Sequence, residues 1–218
     1  MDENMKKNIK GILGTAMKVI INPVGFYREM PKTGGFIEPL IFAVVLGLIS
    51  AVITIILSIF SLGAAPSFWI GLASIIYYPI LAAIGSFIGA AILFIIWKIM
   101  GSQESYETAY RCMAYAMAIS PIIVLLQLIP YIGPILGYAW HAYLMVVAST
   151  EVHKVTQKTA LIVFGIIFIL IALMSTCGHI ASRKIQKNIG QYEEMTPEEA
   201  GKIFGEFMRG IKEKVEKD

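Results

Sequence analysis

The sequence predicts an all-α integral membrane protein, a polytopic helical bundle with five transmembrane helices and an amphipathic helix at each end. Of its 218 residues, 57% are apolar and only 15% are charged, which is less polar surface than a soluble domain of this size needs. The charges are also segregated, so that the chain from Leu40 to Trp97 carries none. Uncharged apolar segments of this length are typical of membrane-spanning helices.

Composition excludes several other classes. The formal net charge is +3, and no basic patch is interleaved with aromatic residues, so we predict no nucleic-acid partner. Cys112 and Cys177 are too few and too far apart for a disulfide framework or a zinc site. The N-terminal segment has lysines but neither a continuous apolar stretch nor a cleavage site with small residues, and we expect it to be retained.

Turn signals divide the apolar chain into five spans of roughly 20 residues or more. Gly63 and Pro66 separate the first two, and Pro79 predicts a kink or tilt within the overlong second. Gly101 is predicted to cap the end of that helix. The predicted spans are 38–61, 67–98, a third that starts in "SYETAYR" and ends at Pro130, a fourth to about Ser149 and a fifth over about 159–180.

The stretch "IPYIGP" predicts a tight helical hairpin at a membrane surface. Pro130 ends one helix, Gly133 relieves the turn, and Pro134 suits the first turn of the next helix. A single kinked helix through this region would be roughly twice as long as the membrane is thick, so the hairpin is the better interpretation.

Charge asymmetry predicts the orientation. With five alternating spans, the lysines and arginines before and between the spans all fall on one side, which predicts that the N-terminus and the longer connections are cytoplasmic. The tail after Ser182 would then lie on the opposite side of the membrane. It carries eight basic residues, which is contrary to the positive-inside rule. We predict a cytoplasmic amphipathic segment over 1–35, a five-span domain over 36–182 and a charged amphipathic C-terminal helix over 183–218.

Both ends predict surface helices. A basic amphipathic helix near the start would lie on the anionic leaflet; its apolar face comprises Ile9, Ile12, Leu13, Ala16 and Ile20. In the tail, Thr196 and Glu199 have capping-box spacing, with Pro197 at the first helical position. Each helix could pack on its own bundle or on the interface, or it could dock a partner, and the sequence leaves these alternatives open.

Catalytic and metal-binding motifs are absent from the sequence, and we predict a protein without enzymatic activity, cofactor or metal. Cys177 and His179 have no third ligand nearby and suit the end of a span. Glu38 is predicted to cap the first span. Most of a set of aromatic residues occur where interfacial aromatics belong; the set comprises Trp69, Trp97, Tyr77, Tyr78, Tyr106, Tyr110 and Tyr131. Tyr77 and Tyr78, beside Pro79, could instead line a cavity.

Small residues at four-residue spacing predict close helix packing. They occur on the first span at Ala43, Gly47 and Ala51, on the second at Gly85 and Gly89, and on the fourth at Gly133 and Gly137. Packing within the bundle is the favoured interpretation, and homodimerisation is the alternative.

His141 is the ionisable residue of the hairpin. Depth matching around the turn places it opposite Pro121 and near Ser120, and not opposite Gln127. Because proline has no N–H, Pro121 would leave the carbonyl of Met117 without its helical hydrogen-bond donor. Within a membrane such a carbonyl needs a donor from a neighbouring group. We therefore expect neutral His141 to donate to Ser120 or to that carbonyl; a water-lined, titrating histidine is the alternative. The structural or functional candidates are His141, Ser120, Pro121, Gln127, Pro130, Gly133, Gly137, Trp140, Tyr77 and Tyr78.

An ordered series of Asn, Pro, Gly and aromatic residues punctuates the chain from about residue 20 to 180, from "NPVGFYREMPKTGGF" to "IPYIGPILGYAWHAYLMVVASTEVHK". It resembles the YIP family, the Ypt/Rab-interacting proteins with a five-span membrane domain. The short, lysine-rich start is similar to the prokaryotic branch, which implies a multi-pass protein of the prokaryotic plasma membrane. The matching positions are Asn22, Pro23, Phe26, Tyr27, Tyr106, Ala109, Ala114, Tyr115, Pro121, Pro130, Gly133, Trp140 and Glu151 to His153.

The resemblance implies a helical bundle with a cytosolic N-terminus and, in eukaryotes, roles in vesicle traffic through small GTPases. The sequence lacks the long N-terminal region of eukaryotic members, so a Rab-type partner is not predicted. The sequence is therefore compatible with two functional classes. The first is a non-enzymatic protein that organises membrane lipids or partner proteins. The second is a small transporter or channel, which could be oligomeric. Scarce ionisable residues within the spans favour the first.

Overall fold

The computed structural model describes residues 3–62, 67–130, 132–193 and 209, and within them its regular secondary structure is helical. Side chains are described within residues 10–178 of those ranges and at 209. The predicted capping box at Thr196 and the turn residues Gly63, Pro66 and Tyr131 lie outside. The helices are α1 (Glu3–Ile21), α2 (Pro23–Glu29), α3 (Ile37–Ile59), α4 (Phe68–Ile99), α5 (Tyr106–Ala116), α6 (Ser120–Leu126), α7 (Ile132–Glu151) and α8 (Gln157–Glu193).

Within the part of the chain that the structure describes, five segments are long and apolar enough to cross a membrane, which confirms the predicted count. They are Ile37–Ile59, Phe68–Ile99, Tyr106–Leu126, Ile132–Glu151 and Gln157–Gly178. The chain divides into two compact units, Met1–Leu173 and Met174–Asp218, and the packing described below belongs to the first. Helix α8 continues past 182 to Glu193, so the predicted boundary there does not coincide with a helix end.

Helix α4 contains Pro79 and ends where the sequence predicts. Gly101 follows the helix with φ +93°, a conformation that glycine adopts without a Cβ penalty. Its amide donates to the carbonyl of Lys98 at 3.0 Å, and the amide of Ser102 donates to that of Trp97 at 2.9 Å. These two bonds are the Schellman pattern, which satisfies carbonyls left free at the helix end.

The third span is not one continuous helix, in contrast to the prediction. A 3₁₀ turn over Met117–Ile119 separates α5 from α6, and Pro121 lies in the first turn of α6. Because proline has no N–H, an α-helix through Pro121 would leave a carbonyl without its donor. The tighter turn resolves this, since the backbone N–H of Ser120 donates to the Met117 carbonyl.

Helices α3 and α4 pack closely through small residues. A Cβ atom at Gly47 would lie 3.1 Å from both Ala82 Cβ and the Tyr78 carbonyl oxygen, so glycine permits this approach. Of the two glycines predicted to pack closely on α4, one lies at a helix interface and the other does not. Gly89 lies against Met113, but a Cβ at Gly85 would meet nothing within 4 Å, so Gly85 is not at a helix interface.

Helix α1 packs against the bundle with part of its predicted apolar face. Ala16 and Val19 are buried in the main core, and Ile12 and Ile20 pack against it. Leu13, which the sequence assigns to the same face, is instead exposed. The face that contacts the bundle is therefore rotated toward Val19.

Candidate functional site

The hairpin between α6 and α7 brings two predicted glycines against the end of the third span. A Cβ atom at Gly133 would collide with the carbonyl oxygen of Leu126, and one at Gly137 would lie 2.8 Å from Ile123 Cγ1. Pro130 is exposed in the turn. Both glycines therefore allow the backbones to approach closely, as small residues do in membrane helices.

His141 does not make the hydrogen bond that the sequence predicts. The Ser120 hydroxyl instead accepts from the Ser50 hydroxyl at 3.2 Å. The Met117 carbonyl already accepts the Ser120 backbone N–H. The prediction assumed a continuous helix through Pro121, but the 3₁₀ turn satisfies the freed carbonyl locally, so that carbonyl does not need the histidine as a donor.

His141 lines an apolar cavity of about 200 Å³ between α4, α5, α7 and α8. Gly89 and Leu93 of α4, Met113 of α5 and Phe164 of α8 share this cavity. The histidine is therefore surrounded mainly by hydrocarbon, and the cavity lacks the polar partners that water in a pathway needs.

The remaining predicted residues lie apart from this cavity. Trp140 is partly exposed and packs on Tyr143, with ring centroids 5.4 Å apart. The rings of Tyr77 and Tyr78 on α4 have centroids 4.6 Å apart. Gln127 caps the end of α6. The structure therefore does not bring the predicted residues together as one site.

Sequence reasoning did not select the polar cluster that lies where α4 and α7 end. We call it the Trp97 cluster; it comprises the buried residues Trp97, Ser102, Cys112, Ser149 and His153. Trp97 Nε1 donates to the Ser149 hydroxyl at 2.7 Å, and the indole stacks on His153 with centroids 3.8 Å apart. His153 Nδ1 lies 2.8 Å from the Ser102 hydroxyl. The prediction of an interfacial Trp97 was therefore wrong.

Burial controls the protonation of this cluster. It lowers the pKa of His153 to about 3, with smaller contributions from Lys32 and Lys98, so the imidazole is neutral at ordinary pH. The buried Tyr27 hydroxyl donates to the Cys112 carbonyl at 3.2 Å. Desolvation by burial raises the pKa of Tyr27 well above its usual value, and the neighbouring Cys112 adds to the shift.

Arg111 fixes the loop over 31–36 that leads into α3. Its guanidinium is almost fully buried and donates to the carbonyl of Pro31 at 2.7 Å and to that of Gly35 at 3.0 Å. A third contact joins Nη2 to the Glu38 carboxylate at 3.5 Å. The planar guanidinium also lies over the Tyr115 ring, 5.8 Å from its centroid, a geometry suited to arginine.

Two surface ion pairs connect the same end of the bundle. Arg28 contacts Glu151 at 3.0 Å, and Lys32 contacts Glu104. The segment before α3, the α4–α5 connection and the α7–α8 connection therefore meet at one end. Exposed pairs of this kind contribute little stability, typically about 0–1 kcal/mol each, so the buried contacts dominate there.

The chemistry available to the Trp97 cluster is structural. Cys112 Sγ lies 3.9 Å from His153 Nε2, but Cys112 is fully buried, so a substrate could not reach the sulfur. Within the described ranges, no three His, Cys, Asp or Glu residues converge to hold a metal ion. The sequence signal was the polar sequence from Ser149 to His153, directly after an apolar span.

A row of buried hydroxyl groups follows α3. Ser50 donates to the Leu46 carbonyl at 2.8 Å, and Thr54 donates to the Ser50 carbonyl at 2.9 Å. Across the interface, Ser74 of α4 donates to the Ala51 carbonyl at 3.2 Å. Every buried side-chain nitrogen or oxygen among the described residues has a hydrogen-bond partner. These hydroxyls therefore hold helices together, as polar residues do in lipid.

Helix α1 also presents an apolar surface that the bundle does not cover. We call it the outer stripe, and it comprises Leu13, Met17 and Ile21, spaced by four residues. Their side chains are 44%, 59% and 72% exposed, and the exposed Lys10 and Lys18 belong to the same helix. One face of α1 thus contacts the bundle while an adjacent face is free.

Comparison with known proteins identifies one family. The family model described as the Yip1 domain matches residues 17–177, which is most of the chain and includes the segment with the predicted resemblance. No curated protein matches the chain, and no solved structure does.

Proposed function

The chain belongs to the Yip1 domain family, and from that premise we propose that it is a non-enzymatic membrane protein that organises lipids through α1. The family and the five apolar helices identify an integral membrane protein. The outer stripe of α1 carries the proposal, because it is an exposed apolar surface on a helix already anchored to the bundle. In a membrane protein such a surface is suited to the headgroup and acyl-chain boundary.

Charge supports an anionic leaflet as the surface beneath α1. Lys10 and Lys18 are exposed on this helix, and Arg28 is exposed just beyond it. Each basic residue near an anionic surface contributes roughly 1 kcal/mol to binding. The positive-inside rule favours the cytoplasmic face of a plasma membrane for these residues. A protein partner and homo-oligomerisation remain predictions.

Transport is the weaker alternative. The hydroxyl row along α3 is fully hydrogen-bonded, and the cavity beside His141 is apolar. Substrate and proton pathways in membranes usually display ionisable side chains facing water. Among the ionisable residues of the described spans, His141 lies beside a cavity, but that cavity is apolar and lacks polar partners for water. This supports the lipid-organising role.

Spin-label accessibility tests the position of α1. A nitroxide would be attached at Leu13→Cys or Met17→Cys in vesicles containing anionic lipid, on a Cys177→Ser background. We expect both labels to collide with oxygen more than with a water-soluble nickel complex. Lys18→Cys, on the polar side of the helix, is the matched control and should show the reverse preference.

Lipid enrichment tests the function itself. Fluorescent anionic and zwitterionic lipids would be compared near the protein in proteoliposomes, where we expect the anionic lipid to be enriched several-fold. Leu13→Glu should reduce this enrichment, and Gly14→Glu, on an exposed position beside the stripe, should reduce it less. Equal enrichment in all three proteins would contradict the proposal, and solute flux that depends on His141 would favour transport.

A further inference from the structure

A groove of about 690 Å³ separates α1 from the start of α3. Gly11 and Thr15 line it from α1, Ile37, Glu38 and Ile41 line it from α3, and Tyr115 contributes from α5. It is distinct from the outer stripe of α1. We propose that this groove binds a phospholipid whose headgroup carries a primary ammonium group.

The part of the groove that α3 lines suits an acyl chain. Ile37 and Ile41 occupy the first two turns of α3 and are 73% and 51% exposed. Because α3 is a membrane span, these two side chains face the boundary between headgroups and acyl chains. Phe42, one residue further, is buried and also lines the groove. An amphiphile could therefore place its chain along α3 with its headgroup between the two helices.

The charge available to a headgroup is negative. The Glu38 side chain is 76% exposed, so its carboxylate retains acceptor positions beside the 3.5 Å contact with Arg111. The Arg111 guanidinium is almost completely buried and already donates to two backbone carbonyls. A phosphate therefore finds no free guanidinium here, whereas an ammonium group finds an accessible carboxylate.

The surroundings favour a primary ammonium over a quaternary one. A quaternary ammonium is recognised through aromatic faces, but Arg111 already lies over the Tyr115 ring. Phe42 also packs against that ring, with centroids 5.1 Å apart. A primary ammonium instead donates up to three hydrogen bonds, and the groove offers Glu38 and the Thr15 hydroxyl as acceptors.

The proposal goes beyond the lipid-organising role and takes from it only the membrane setting. The test is native mass spectrometry of the full chain, exchanged against equal amounts of phosphatidylethanolamine, phosphatidylcholine and phosphatidylglycerol with matched acyl chains. We expect several-fold more phosphatidylethanolamine than phosphatidylcholine bound. Glu38→Gln should abolish this preference, whereas Glu104→Gln, which alters another carboxylate at the same end, should retain it.

A second pair of variants separates occupancy of the groove from folding. A Cβ atom at either Gly11 or Gly14 would meet nothing within 4 Å, so a side chain can be added at both positions without a clash at Cβ. Of the two glycines, only Gly11 lines the groove. Gly11→Trp should reduce bound phosphatidylethanolamine several-fold, and Gly14→Trp should not.

The two proposals fail separately. Equal binding of phosphatidylethanolamine and phosphatidylcholine, a preference for phosphatidylglycerol that Gly11→Trp abolishes, or unchanged binding in both Gly11→Trp and Glu38→Gln would overturn the groove proposal. Occupation of the groove by a second copy or by the tail, detected as crosslinks from Gly11→Cys without lipid preference, would also overturn it. None of these results depends on the Leu13 variants that test the outer stripe.

Discussion

The end of the bundle that holds the Trp97 cluster and the fifth span, α8, represent two ways of fixing a membrane helix. Trp97, His153 and Arg111 are buried and make directional contacts to several segments. In α8 up to Leu173, Ala160 and Phe164 are the fully buried apolar positions, while most of the helix faces outward. Specific side chains therefore determine the first region, and hydrophobicity alone determines most of the second.

This contrast predicts the largest destabilisation at Arg111. Arg111→Met would remove the charge-assisted hydrogen bonds to the carbonyls of Pro31 and Gly35, which contribute about 1.5–3 kcal/mol each. The free energy of unfolding in detergent should fall by that sum. Arg28→Met, which removes an exposed ion pair with Glu151, is the control and should cost about 0–1 kcal/mol. Equal losses in the two variants would contradict the account of the 31–36 loop.

Trp97 should show a smaller effect that can be assigned to one bond. Trp97→Phe removes the donor to Ser149 and part of the stacking on His153, and we expect a loss of about 1–3 kcal/mol. A double-mutant cycle with Ser149→Ala should give a coupling of about 0.5–1.5 kcal/mol. Strict additivity would show that the 2.7 Å contact contributes nothing. The partly exposed Trp140→Phe is the matched control, with an effect within about 0.5 kcal/mol.

His153 should make stability depend on pH. Its folded pKa of about 3 lies below the ordinary value of 6.5, so the unfolded chain binds the proton more readily between these values. The contribution of the neutral histidine is therefore complete above pH 6.5 and declines as the pH falls from there toward 3. Unfolding measured from pH 8 to pH 5 should show this decline, and His153→Asn should flatten it. An identical slope in the variant would assign the dependence to other groups.

The smallest effect should occur on the outward face of α8. A buried phenylalanine replaced by alanine costs about 3–5 kcal/mol in a soluble core, but helices that pack in lipid lack the water-transfer part of that cost. Phe164→Ala, which removes a buried ring packed near Trp97, should therefore cost on the order of 2 kcal/mol. Ile166→Ala, two residues along on the exposed side, should change the free energy of unfolding by about 0.5 kcal/mol or less. A comparable cost at both positions would show that the outward face of α8 is packed against something in the assembled protein.

The same contrast explains what the sequence could predict. Apolar runs and turn residues such as Gly101 and Gly133 identify five spans, the helix end and the hairpin, because lipid and backbone geometry restrict the alternatives. The break at Met117–Ile119 was missed, since a proline in a membrane helix is compatible with either a kink or a 3₁₀ turn. Ser120 therefore pairs with Ser50 and not with His141.

Side-chain partners across distant segments were the least predictable part. Arg111 reaches Pro31 and Gly35 across about 80 positions of the chain, and no local pattern indicates such a contact. Trp97 and His153 meet because Ser149 and Ser102 complete their hydrogen bonds. The sequence shows aromatic and polar residues near span ends, where interfacial positions and buried clusters have the same composition.

Cysteine labelling in intact cells tests the central claim most directly, that the end bearing α1 and the Trp97 cluster is the cytoplasmic end of a five-span bundle. Single cysteines would replace the exposed residues Lys10, Gln103, Lys154 and Ser61 on a Cys177→Ser background. A membrane-impermeant maleimide should label the position 61 variant from outside and the other three only after permeabilisation. Labelling of positions 10 and 61 from the same side would contradict the topology on which the proposed function rests.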